Sequence, residues 1–292
     1  MRTKHCPFCA LDAVLLCLFA AAAGLFLWYA HNQLDYTWNW AAIPQFLFRR
    51  DADGALVPNV LMTGLFTTIR LSIWTTILAL PLGLLTGLAS VSRSLFLRLM
   101  ARTYVETVRN LPPLVLIFIF FFFIYTLLAP LLGLEEALRN LPPSVERVLS
   151  ILCADPARLP GFLSGVVTLA VYEGAYIAEI VRGGVQSVPR GQWEAAASLG
   201  LGRLTQLRLV ILPQALKVII PPLAGQFIST IKDSAIVSVI SIPELTFQGM
   251  ELMAATYLTF EVWITITLLY LLLTTCCAML ARWLERRLRW RA

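Results

Sequence analysis

Seven polar or charged residues stand where the chain is otherwise strongly apolar: Arg70, Glu173, Glu179, Arg182, Lys232, Asp233 and Ser234. A charge within a hydrocarbon layer is costly, so such groups pair with one another or line a wet path for a solute or ion. Glu173 falls near the middle of an apolar segment. Two readings of it stay open, contact with a passing solute and a buried ion pair with Arg70 or Lys232. Glu179 and Arg182 are three residues apart and share a helical face, as an inner-gate or structural pair. None of these sets breaks bonds. The histidines are His5 and His31, both outside the apolar interiors, and neither HExxH nor GxSxG occurs. A P-loop needs a lysine directly after glycine, and none of Lys4, Lys217 and Lys232 follows one. Cys6-Pro7-Phe8-Cys9, beside His5, is a lone CxxC without a second ligand pair. It is a weak metal or redox signal, set against a plain N-terminal tail. A membrane-embedded enzyme therefore lacks its residues in this sequence.

The elements that must position these charges are membrane spans. Of the 292 residues, 59% are hydrophobic and 14% charged, where a soluble domain is about 25% charged. Mean hydropathy is +0.77. Six apolar segments are long enough to cross a bilayer, at roughly 11–30, 60–91, 104–129, 162–182, 214–240 and 260–283. The first follows Arg2 and Lys4 like a signal peptide, but about twenty residues is long for one and suits a retained span. Gly83-xxx-Gly87 in the second segment and Gly161-xxx-Gly165 at the fourth allow close helix approach. Pro221-Pro222 predicts a kink in the fifth. Residues 1–58 read as a tail, an extra span and an outer loop, and 59–292 as the main membrane domain. Within the long 130–160 loop, Leu141-Pro142-Pro143-Ser144 reads as the start of a short outer helix.

Charge sets the orientation. With the N-terminus inside, inner segments hold 16 Lys and Arg residues against 5 outside, which places both termini in the cytoplasm. The outer loops then hold most of the loop acids, Glu244 and Glu251 among them. The net charge of +6 thus reflects membrane orientation and not nucleic-acid binding.

One cytoplasmic segment breaks the apolar pattern: GQWEAAASLGLGRLTQLRLVILP, Gly191 to Pro213. Good helix formers run to Leu199, Gly200 and Gly202 interrupt, and Leu201, Leu204 and Leu207 recur at spacings of three. This predicts helix, glycine break, helix, with exposed apolar residues that need either a protein partner or a lipid surface. Glu194-Ala195-Ala196, Gly200, Val210 and Leu212-Pro213 resemble the EAA motif of ABC importer permeases, EAA-x3-G-x9-I-x-LP, with valine for isoleucine. Flanking runs resemble the polar amino acid permeases of the histidine, glutamine and glutamate/aspartate type. These are Tyr176-Ile177-Ala178-Glu179 to Gly184, Val188-Pro189-Arg190-Gly191-Gln192, Lys232-Asp233-Ser234-Ala235-Ile236 and Arg109-Asn110-Leu111-Pro112-Pro113. The likeness covers about residues 60–285. The glutamate/aspartate type is the most similar, partly through Lys232 to Ile236.

The resemblance implies an all-α polytopic fold, the type I ABC importer transmembrane domain with about six helices, in a bacterial inner membrane. It implies an ATP-driven importer for polar amino acids and no catalysis by this chain. ATP and Mg would sit on a partner ATPase. Partners would be two ATPase subunits, a second permease subunit, an extracytoplasmic amino acid-binding protein and the amino acid itself. Residues 183–213 would form the coupling region. Glu194 would pair with a basic ATPase residue, Ala195 and Ala196 would permit close approach, Gly200 would make the turn, and Leu212-Pro213 would lead back into the membrane. Arg70, Glu173, Lys232, Asp233 and Ser234 would line the substrate path, supplying both signs for a zwitterion. An ion-driven secondary transporter or channel is the alternative. It shares the topology but does not explain the EAA spacing.

Overall fold

The computed structural model describes residues 10–33, 36–131, 133 and 142–289. The Cys6/Cys9 pair, Leu141 and the loop acids Glu135 and Glu136 lie outside them. The chain forms two compact units, Met1–Trp40 and Ala41–Ala292. The first contains helix α1 (Ala10–Gln33), 24 residues long, with a shorter apolar stretch at Asp12–Ala22. Its Trp38 and Trp40 rings stack at 5.9 Å.

In the second unit, α2 (Ile43–Leu47) leads to a hairpin of β1 (Phe48–Arg50) and β2 (Leu56–Pro58), paired antiparallel with Arg49 opposite Val57. Then come α3 (Val60–Ser90) and α4 (Leu95–Asn110), α5 (Pro113–Ile119) and α6 (Thr126–Leu131) joined through a wider helical turn at Phe120–Tyr125, and α7 (Pro143–Leu152). The long α8 (Leu159–Gln186) precedes two short helices, α9 (Arg190–Ser198) and α10 (Arg203–Gln206). Last are α11 (Leu212–Asp233), α12 (Leu245–Thr256) and α13 (Thr259–Arg289). Among the described residues, four helical stretches are long and apolar enough to cross a membrane, and a bent pair makes a fifth.

That bent pair corrects the expected straight span at 104–129. α4 is amphipathic and carries Arg98, Arg102, Glu106 and Arg109. It stops at Asn110, and the segment from Pro113 leaves at 112°. Leu111 is extended (φ −87°, ψ 143°), as a residue before proline prefers, and Pro112 cannot donate to a continuing helix. The fifth expected span is also different. Pro221 and Pro222 lie inside α11, which carries on without a break. Backbone helicity runs from Arg203 to Ile240, so the second half of the cytoplasmic segment is the root of a span.

α3 and α8 form the central pair. A Cβ at Gly83 would lie 2.5 Å from Ile177 Cβ, and one at Gly87 2.7 Å from the Ala178 carbonyl oxygen. Only glycine permits this approach, as the small-residue spacing predicts. Gly165 lies against Ile242, whereas Gly161 has open space around it. The core has two ends. One gathers Leu71, Ile117, Leu159, Phe162, Val166 and Ile242. The other gathers Ala79, Ile177, Val181, Ile211, Ala215 and Ile219.

α12 was not foreseen, and it overturns the reading of Glu244 as an outer-loop acid. Glu244 is fully buried. Its carboxylate caps α12, accepting from Phe247 N at 2.7 Å and Thr246 N at 2.9 Å. It also accepts from Tyr270 Oη of α13 at 2.9 Å and from Thr68 Oγ1 of α3 at 3.4 Å. A buried carboxylate holds its charge only with such a set of donors. Glu251 is exposed on α12.

Candidate functional site: a docking surface and a buried carboxylate

Gly191 to Pro213 folds as a helix, a left-handed glycine and a second helix. α9 presents Glu194 and Ala195 to solvent and buries Ala196. Gly200 has φ +74°. Its N–H donates to the Ala197 carbonyl at 2.9 Å, and the Leu201 N–H reaches the Ala196 carbonyl at 3.3 Å. Those two bonds with a left-handed residue after the cap are a Schellman ending, which needs glycine for its φ and not for space. Gln206 is buried and donates to the Leu201 carbonyl at 2.7 Å. The Arg203 guanidinium lies 3.7 Å above the Trp193 ring, a cation–π contact that pins the two short helices together. Gln214 Nε2 donates to Gln192 Oε1 at 3.1 Å and fastens α9 to the base of α11. The ends of this platform expose Leu199 and Leu204, each 78% accessible. Pro213 lies in the first turn of α11, directly after the wider helical turn at Leu207–Ile211.

Inside the bundle, Glu173 is fully buried on α8. Its Oε2 accepts from Gln226 Nε2 of α11 at 2.6 Å. Its Oε1 has no hydrogen-bond partner among the described residues. Asp233 lies close enough to interact with this carboxyl group, and Thr230 is a neighbour. The ion pair with Arg70 or Lys232 does not form: Lys232 is exposed, and Arg70 is occupied elsewhere. Arg70 Nη1 donates to the carbonyls of Ser150 at 3.2 Å and Cys153 at 3.4 Å, at the end of α7. Ser234 is buried, its hydroxyl donating to the Ile231 carbonyl at 2.7 Å. Thus Glu173 and Asp233 come together, Lys232 and Ser234 flank them along the chain, and Arg70 belongs to another corner. Gln226 is the member of this group that sequence reasoning missed. A neutral amide carries no charge signal, and its position on α11 becomes informative only once α8 packs against it.

Glu179 and Arg182 pair as their spacing predicts, through Arg182 Nε to Glu179 Oε2 at 2.8 Å and a second Nη2 contact to Oε1. Arg182 Nη1 also donates to Gln186 at 2.7 Å. Arg109 of α4 approaches the same Glu179 at 3.9 Å and lies 5.2 Å from the centre of the Tyr176 ring. These groups line a cavity of about 700 Å³ between α4 and α8, with Arg98, Arg102 and Glu106 on its α4 wall. Tyr104 Oη, donating to the Val171 carbonyl at 2.6 Å, ties the same two helices together.

The chain is thus a bundle of helices long enough to span a membrane, one of them rooted in the helix–glycine–helix segment Gly191–Pro213. The family of binding-protein-dependent transport system inner membrane components matches residues 79–290, and the chain belongs to it. It is 32% identical over 261 residues to the glutamine transport system permease protein GlnP of Escherichia coli (strain K12), covering 88% of this chain and 99% of that one. It is 33% identical over 230 residues to the probable glutamine ABC transporter permease protein GlnM of Bacillus subtilis (strain 168), covering 79% and 94%. Identity to the Escherichia coli (strain K12) glutamate/aspartate import permease protein GltJ is 30% over 256 residues, covering 88% and 97%. A solved amino acid ABC transporter with histidines superposes with a TM-score of 0.65 at 32% identity, over 86% of this chain and 100% of that one. The MetNI methionine transporter, at 18% identity and a TM-score of 0.59, shares the fold over 78% and 95%. The chain is therefore a multi-pass permease subunit, working in a complex with ATPase and permease partners.

Proposed function

We propose that the chain is the permease subunit of an ATP-driven importer for polar amino acids in a bacterial inner membrane, with the glutamine and glutamate/aspartate class favoured. The observation that carries this reading is the Gly191–Pro213 platform. Its exposed Glu194, Leu199 and Leu204 surround a rigid Schellman turn, and its second helix is continuous with a span. A push on such a platform reaches the membrane interior as a rigid-body motion of α11. One of the complex's two ATPase subunits would dock there, and the ATPases would carry the ATP and Mg. Glu194 would pair with a basic ATPase residue, and Ala195 would permit close contact. A second permease subunit and an extracytoplasmic binding protein would complete the complex. Glu173, Asp233 and Lys232 would lie on the substrate path, where a zwitterion needs groups of both signs. Glu179, shared between Arg182 and Arg109, would close the inner end. The glutamine and glutamate/aspartate named for the similar permeases support the amino acid class. The test is uptake of labelled glutamine and glutamate by proteoliposomes holding the permease, its ATPase and its binding protein. Uptake should require ATP hydrolysis. Uptake without the ATPase, following an ion gradient, would establish the secondary-transporter alternative instead.

A further inference from the structure

α7 is an amphipathic helix whose apolar side is only partly used by the fold. Leu149 packs against the core cluster of Leu71, Ile117 and Leu159. Val145, Val148, Ile151 and Leu152 remain exposed, at 40%, 52%, 62% and 52%. At 100° per residue, Val145, Val148, Leu149 and Leu152 share one arc, with Glu146, Arg147 and Ser150 on the opposite one.

Its C-terminal end is fixed to α3 by three hydrogen bonds to backbone oxygens. Arg70 Nη1 donates to Ser150 O and Cys153 O, and Trp74 Nε1 to Leu152 O at 2.9 Å. Carbonyls at a helix C-terminus lack intrahelical partners and carry partial negative charge, so a guanidinium and an indole N–H suit them. The same two residues set a depth. From Leu71 to Ser90, α3 has about 20 residues, roughly 30 Å at 1.5 Å per residue, which matches the hydrocarbon thickness of a bilayer. Arg70 and Trp74 then bracket one membrane boundary, the level where indoles and snorkelling arginines reside. Ile73 and Ile77, beside Trp74 on α3, are 42% and 50% exposed, so the surface next to the α7 tether is apolar and open as well.

We propose that α7 is an interfacial helix seated in the outer leaflet, its Val145, Val148 and Leu152 among phospholipid acyl chains and Arg147 in water. Arg70 and Trp74 are its tether. The bundle end is outer by the 16-to-5 charge bias. The occupant is lipid because the exposed apolar surface continues the exposed apolar side of α3 at the boundary depth, and because Glu146 and Arg147 lie off the apolar arc.

A photoreactive benzoylphenylalanine placed singly at Val145, Val148, Leu152 or Arg147 tests this. The permease complex is reconstituted in phosphatidylethanolamine/phosphatidylglycerol vesicles, illuminated and analysed by mass spectrometry. Phospholipid adducts at the three apolar positions, at least fivefold above the Arg147 position, are expected. Adducts to a protein chain at those positions would show a protein-covered face and overturn the proposal. Negligible lipid yields at all four positions would place α7 in water, and equal yields would leave it without a lipid-facing side; either result overturns the proposal.

Discussion

The Gln226 side-chain amide donates to Glu173 Oε2 at 2.6 Å, joining α11 to α8 in the buried interior. α11 rises directly from the Gly191–Pro213 segment, with helicity continuous from Arg203 to Ile240. The remaining carboxylate oxygen is left without a partner among the described residues.

Glu173→Gln keeps the shape and can still bond Gln226, since one amide can accept from the other. Assembly should persist while uptake falls about tenfold, equivalent to ~1.4 kcal/mol of barrier. Transport assays on complexes matched for subunit content check this. Wild-type rates for Glu173→Gln and for Lys232→Ala would remove both residues from the path.

Gly200 has open space around it but φ +74°. Gly200→Ala should therefore strain the turn by ~1 kcal/mol through backbone conformation alone. Gly200→Leu should act in the same direction. Membrane insertion should be unchanged, while ATP hydrolysis uncouples from uptake or the ATPase binds less tightly. Glu194→Lys should give the same phenotype by charge reversal on an exposed position. Normal coupling in all three variants would mean that the platform does not receive the ATPase.

At Gly87 the obstacle is steric: an added Cβ would meet the Ala178 carbonyl oxygen at 2.7 Å. Gly87→Val should push α3 from α8 and cost ~1–3 kcal/mol. A lower melting temperature of the detergent-solubilised permease is the expected readout. Gly161→Val, where nothing lies within 4 Å, should melt as wild type and serves as the control.

Glu244 links three helices through four donors. Glu244→Ala leaves Thr68 and Tyr270 without their shared acceptor and uncaps α12, a loss of ~1–3 kcal/mol. Glu244→Gln, which retains one acceptor oxygen, should lose less. Thermal unfolding and protease sensitivity near α12 distinguish the two variants. Equal stability of Glu244→Ala and wild type would contradict a structural role.

Much of the molecule is legible along the chain. Residues 11–30, 60–91, 162–182, 214–240 and 260–283 read as apolar runs, and helices cover them. Gly83 and Gly87 mark the tightest crossing, Pro142-Pro143 the start of α7, and Gly200 the break in the platform. Each of these is a local signal: a run length, a spacing, or a backbone preference of one residue type. The 112° break after Asn110 was available from Pro112-Pro113 too, but the apolar run through it masked the signal.

Arg70 and Glu244 obeyed no local rule. Arg70, read as a pathway charge, meets carbonyl oxygens 80 and 83 residues away. Glu244, read as a loop acid, is completed by Thr68, 176 residues away. By itself the sequence determined most of the apolar helices and the helix–glycine–helix segment at Gly191–Pro213, because hydropathy and φ preferences act within a few residues. The tertiary structure alone decided which charges share a site. A buried charge is stabilised by whichever donors or acceptors the packing brings within 3–3.5 Å, and those partners come from distant helices.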